Sequence, residues 1–163
     1  MPRGFPPVLG PAPRVLVLGT MPSRASLRRR QYYGHARNLF WPFAGELLGI
    51  DPGLDYERRI AALVRRGVAL WDVARRCERE LSSDATIRSV EPNDIAALLA
   101  ARPGMRAVFF NGAKAEELFR SLVLPDLGGR EVHLERLPST SPANASMPRA
   151  IKLARWRRIL DWL

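Results

Sequence analysis

Val15-Leu16-Val17-Leu18-Gly19-Thr20-Met21-Pro22-Ser23 is the stretch that decides how the rest of this chain is read. Four apolar residues in a row suit a buried strand and are far too few to cross a membrane. Gly19 and Pro22 then punctuate the strand end. The loop that follows, to Pro42, mixes Arg24, Arg28, Arg29, Arg30 and Arg37 with Tyr32, Tyr33, Phe40, Trp41, His35 and Asn38. Such a mixture makes a poor core, but it is well suited to holding phosphate and stacking a flat ring.

Around that stretch the chain is 163 residues long, which predicts one domain with a core of its own. Its 26 basic and 16 acidic residues give a net charge of +10, and Lys114 and Lys152 are the only lysines. An arginine excess of this size favours a polyanionic partner, because guanidinium groups bind phosphate bidentately. Cys77 is the only cysteine, which excludes an internal disulfide and a four-cysteine metal centre. With only His35 and His133 beside it, no metal is expected. The amino-terminal residues lack a signal-peptide core, so a soluble, cytoplasmic, monomeric protein is expected.

Residues 1–13 are proline-rich and read as an extended arm. Apolar runs at 15–18, 68–71, 107–110 and 132–137 predict four strands. Helical periodicity predicts helices from Trp41, over 56–66, from an N-cap at Asn93 to Ala101, over 113–122 and from Pro148 to the end. Residues 72–90 are polar and irregular. Strands alternating with helices predict an α/β fold, a three-layer α/β/α sandwich with a central four-stranded, mainly parallel sheet. Ligands in such sheets sit beyond the carboxyl ends of the strands. Here those ends carry Gly19–Ser23, Trp71-Asp72, Asn111-Gly112 and Pro138–Ala145. No nucleophile elbow, phosphate loop or dinucleotide fingerprint is present.

His35-Ala-Arg-Asn-Leu-Phe-Trp41, placed after Gly19-Thr-Met-Pro-Ser23, resembles the hypoxanthine-DNA glycosylases of the uracil-DNA glycosylase superfamily. The resemblance extends to Gln31–Gly34, Ala69–Asp72, Phe110–Gly112 and Leu137–Asn144, nearly the whole chain. It implies a monofunctional DNA glycosylase that flips a deaminated base out of DNA and hydrolyses its N-glycosidic bond, without metal or cofactor. The absence of lysine from the motif loops argues against a Schiff-base lyase.

The same resemblance makes Asn38 the catalytic residue, orienting water rather than acting as a strong base; a helix cap is the alternative. Phe40 would stack the base, or else serve the core. Asn111 would read the base edge, or else shape a turn. Thr20, Met21 and Tyr33 complete the expected base pocket. Met21 stands where many superfamily members carry a water-activating Asp or Asn, and a thioether cannot polarise water. Ser23, His35, Arg37, Ser139, Ser141 and Asn144 are the expected DNA contacts, with Asp72 a further acidic candidate on the same rim. Rival expectations are a mismatch-specific uracil glycosylase, a non-catalytic nucleic-acid-binding module and a small nucleotide-acting enzyme.

Overall fold

The structure is a computed structural model that describes all 163 residues. Its centre is a parallel sheet in the order β2-β1-β5-β6, built from β1 (Val15–Gly19), β2 (Val68–Asp72), β5 (Ala107–Asn111) and β6 (His133–Leu137). Alternation of side chains along each strand sends Val15, Val17, Leu70 and Phe109 to one face. There they pack beneath α2 (Phe40–Leu48), α3 (Tyr56–Arg65) and α6 (Arg149–Trp156). Leu16, Leu18, Val108 and Phe110 go to the other face, under α4 (Ile95–Ala101) and α5 (Ala113–Leu122). Both faces are fully buried, as parallel strands require, and each such side chain contributes about 1.5–3 kcal/mol. The three-layer expectation matches this arrangement.

Several details differ from the sequence reading, among them the last helix, whose α-helical part ends at Trp156 and tightens to a 3-10 helix over Arg157–Trp162. The polar stretch 72–90 contains an antiparallel pair, β3 (Ala74–Glu78) and β4 (Arg88–Pro92), with irregular register. Only Ala74 and Cys77 of β3 are buried, so its apolar pattern is too sparse to signal a strand. The loop after β1 holds a short helix, α1 (Arg24–Arg29), capped by the Ser23 hydroxyl on Ser26 N and closed by Arg30 in the left-handed region. Helix α4 is capped by Asp94, whose carboxylate accepts from Ala97 N. Asn93 instead turns inward and donates to the Asp72 carbonyl at 2.8 Å.

The proline-rich arm does not project. Val8 exchanges backbone hydrogen bonds with Leu70, and the Tyr32 hydroxyl and Trp71 indole donate to the Pro6 and Phe5 carbonyls. A Cβ on Gly10 would stand 2.8 Å from Val64 Cβ. Gly10→Ala is therefore expected to destabilise the chain by about 1–3 kcal/mol through overpacking, read from urea unfolding; an unchanged midpoint would show that the arm is not held there.

Candidate active site

The carboxyl ends of the parallel strands open into a cleft of about 890 Å³. That lies within the ~300–1,000 Å³ usual for small-molecule sites. Its floor follows from strand register. Parallel pairing sets Asp72 opposite Gly19, and a Cβ on Gly19 would lie 2.5 Å from Asp72 Oδ1 and 3.5 Å from the Tyr33 hydroxyl. Glycine is thus required for the carboxyl to lie across β1. Asp72 is 4% exposed, and its Oδ2 and the Tyr33 hydroxyl are both buried without a hydrogen-bond partner.

Burial pushes the Asp72 carboxyl up to about 7; Arg79 opposes this and Asp84 adds to it. Burial, with Asp72 nearby, also raises the Tyr33 phenol against an opposing pull from the neighbouring Asn111 amide, and the phenol stays protonated. Near neutral pH the floor can therefore present a neutral carboxyl and a phenol, both able to donate.

Asn38 lines the cleft and stands two residues before α2. Its Oδ1 accepts from Phe40 N at 2.9 Å, so the capping and the cleft-facing arrangements coexist. That bond fixes the amide's orientation, with one Oδ1 lone pair and the Nδ2 hydrogens left over. His35 also lines the cleft, and its Nδ1 accepts from Arg37 N at 3.1 Å. Arg37 itself is exposed and outside the lining.

Phe40 does not reach the cleft. It is 4% exposed, packed edge-on against Trp41 and Trp156 in the core, with Tyr33 stacked on it at 4.3 Å between centroids. Tyr33, at φ +55°, lines the cleft together with Tyr32, and Phe40 backs the Tyr33 ring. The reason is helical: position 40 opens α2 on the face turned to the sheet, whereas Tyr33 lies in the preceding turn.

Asn111 at the end of β5 is clasped to the facing lip. It donates to the Thr140 hydroxyl and accepts from Thr140 N, both at 2.9 Å. A backbone N–H on Oδ1 leaves no ambiguity about the amide's orientation, and one Nδ2 hydrogen remains. Ser139, Ser141 and Asn144 line the cleft on that lip. The Ser139 and Ser141 hydroxyls accept from Ser141 N and Ala143 N, and each keeps its proton free to donate. The lip is held from beneath by α6, whose Trp156 indole donates to the Pro138 carbonyl and whose buried Lys152 donates to the Asn144 carbonyl.

Opposite this lip lies the loop between β3 and β4, which the sequence reading left without a role. Arg79 donates to the carbonyls of Met21 and Pro22, and Thr20 Oγ1 donates to Asp84 at 2.9 Å. Thr20 and Met21 both line the cleft, although Thr20 is committed to Asp84 and Met21 packs mainly against Ala74 and Cys77. Ser23 lines it too while capping α1. The signal available in the sequence was Arg79 and Asp84 flanking a serine-rich turn, which composition alone does not distinguish from a solvated loop.

Because Asp72 titrates near 7 when folded and near 3.8 when not, the folded state holds its proton more tightly, and stability falls as pH rises between those values. Keeping the carboxylate charged above pH 7 costs roughly 4 kcal/mol. Asp72→Asn is expected to flatten that slope and to exceed the parent's stability above pH 7, in urea unfolding at acidic and alkaline pH. A parent slope unchanged by the substitution would contradict the burial argument.

The family model for the uracil DNA glycosylase superfamily matches residues 6–163. A hypoxanthine DNA glycosylase of Methanosarcina acetivorans is 38% identical over 143 residues, 87% of each chain. Another, from Methanosarcina barkeri, is 39% identical over 116 residues, 71% of this chain and 73% of that one. A solution structure of a provisional uracil DNA glycosylase from Methanosarcina acetivorans superimposes with a TM-score of 0.82 at 35% identity. It covers 96% of this chain and 94% of that one. With its parallel sheet, its rim of loops and these relatives, the chain belongs to the uracil DNA glycosylase superfamily.

Proposed function

We propose that this chain is a DNA glycosylase that removes hypoxanthine from DNA, hydrolysing the N-glycosidic bond of deoxyinosine and leaving an abasic site. The observation that carries the reading is the pairing of Asn38, oriented at the cleft wall, with the Asp72 carboxyl and the Tyr33 hydroxyl at its floor, each with a buried oxygen that has no hydrogen-bond partner. Two relatives named hypoxanthine DNA glycosylase support the substrate.

As the bond from C1′ to the purine lengthens, the sugar gains oxocarbenium character and the leaving base gains negative charge. A neutral carboxyl or phenol at the floor can donate to the departing base as that charge develops, and preorganised donors of this kind stabilise the transition state. Asn38 does not remove a proton from water; its remaining Oδ1 lone pair accepts one water hydrogen and aims the oxygen at C1′. The Tyr33 ring, backed by Phe40, supplies the stacking surface, worth about 1–3 kcal/mol per base. That recovers part of the few kcal/mol that eversion costs. The remaining Nδ2 hydrogen of Asn111 is available to the base carbonyl. Arg24, Arg28 and Lys114 at the rim suit the flanking phosphates.

Single-turnover assays on duplexes carrying one inosine, uracil or xanthine test this reading. The parent is expected to release hypoxanthine, and Asn38→Ala is expected to lose about 100-fold or more in rate while keeping its affinity for DNA. The alanine also removes a helix cap worth about 1 kcal/mol, so a melting curve accompanies it, and Asn38→Asp, which keeps the acceptor, should melt like the parent. Unchanged excision by Asn38→Ala would remove this side chain from the reaction. Binding with no release from any of the three substrates would leave only a nucleic-acid-binding module.

A further inference from the structure

Lys152 is an ammonium that the fold buries without a counter-charge. It is 3% exposed, its hydrogen bond goes to the Asn144 carbonyl, and it meets no carboxylate. The other lysine, Lys114, pairs with Glu117, and Arg149 on the same helix pairs with Glu46. Lys152 is also the fourth residue of α6, whose first turn carries no acidic side chain, so the cation sits near the positive end of the helix dipole. Burial disfavours the charged form and lowers its pKa from the ordinary lysine value. All of this works against folding, and an apolar side chain of similar length would fill the space without it.

The bond to Asn144 shows where the charge acts. The chain has no cis peptide, so the N–H of Ala145 points opposite to the Asn144 carbonyl. With that carbonyl turned inward to Lys152, the N–H is turned away from it at an exposed residue, and no backbone group of the chain accepts from it. An ammonium on the carbonyl polarises the peptide unit and strengthens its N–H as a donor. Asn144 lines the cleft, so this donor stands where the lip leaves the cleft wall, and residues 138–147 include no acidic side chain to take it up. The partner that fits a buried cation and an outward donor is an anion beside the cleft. We infer that Lys152 is a positioning residue for DNA: from beneath the lip it charges the Asn144–Ala145 peptide, whose outward N–H holds a backbone phosphate next to the everted nucleotide. The inference rests on the glycosylase reading only in taking DNA as the source of that phosphate.

The test compares the parent with Lys152→Met, which removes both the charge and the bond, and Lys152→Gln, which keeps an N–H for the Asn144 carbonyl and removes only the charge. Affinity for a duplex carrying one deoxyinosine is read by fluorescence anisotropy across a salt series, beside melting curves and single-turnover release. Each neutralised phosphate contributes about 0.9 to the slope of log affinity against log salt, so both variants should lose about one unit of slope. That is about tenfold in affinity at about 0.1 M salt, closing toward the parent near about 1 M. The saturating rate of base release should fall far less than the affinity. Met should melt at or above the parent, because an unpaired buried charge is gone, and Gln keeps the brace to the lip; together they separate lost binding from lost folding. Parent-like slopes in both variants, or a loss in Met that Gln restores, would leave Lys152 a structural brace and overturn the inference. A difference that inorganic phosphate at equal ionic strength abolishes would assign the lip to the free anion and overturn it too. A parent that binds with the expected slope but releases no base overturns the glycosylase reading and leaves the phosphate contact standing.

Discussion

The site depends on one close approach, the Asp72 carboxyl lying over Gly19. Parallel register places the two residues side by side, and the missing side chain at 19 lets a carboxyl occupy space that any other residue would fill. Its Oδ2 is then shut off from the surface and has no hydrogen-bond donor among the protein groups. A buried carboxylate without a partner is costly, so the group favours its proton, and a hydrogen-bond donor appears at the floor near neutral pH. Folding alone would be better served by an apolar residue here. The position makes sense when the missing partner is the leaving base.

The rest of the rim keeps that floor open and in place. One lip is braced by Trp156 and Lys152 from α6 and clasped by the reciprocal Asn111–Thr140 bonds. The other is fastened by Arg79 and by the Thr20–Asp84 bond. The first lip is held from the sheet and α6, by bonds to its backbone and to the Thr140 hydroxyl, whereas the second is held by bonds between the β1–α1 and β3–β4 loops themselves. Such rigidity suits a reaction in which the protein supplies prearranged donors rather than a strong base.

The sheet and the side of it that binds were legible in the sequence, because four apolar runs and their polar ends follow from side-chain alternation and chain direction alone. The residues meeting at the cleft were legible through motif resemblance, but their division of labour was not. Tyr33 and Phe40 are both aromatic, and which one faces the cleft is set by the first turn of α2 and by a left-handed backbone at Tyr33, neither of which spacing encodes. The β3–β4 pair was invisible because it buries only Ala74 and Cys77 of its first strand, and the choice of Asp94 over Asn93 as cap turned on a tertiary contact to the Asp72 carbonyl. In the sequence Asp72 is one more acidic residue beside Trp71; the isolation of its Oδ2 from solvent and partners appears only once the strands are paired.

The most direct test of this account is a crystal structure of the protein on a duplex whose deoxyinosine carries a fluorine on the sugar carbon next to C1′, which slows departure of the base. The hypoxanthine should lie in the cleft, flat against Tyr33, with a polar edge within hydrogen-bond distance of Asp72 and the Asn38 amide facing C1′. A base still stacked in the duplex, or one seated in the cleft away from Asp72 and Asn38, would contradict it.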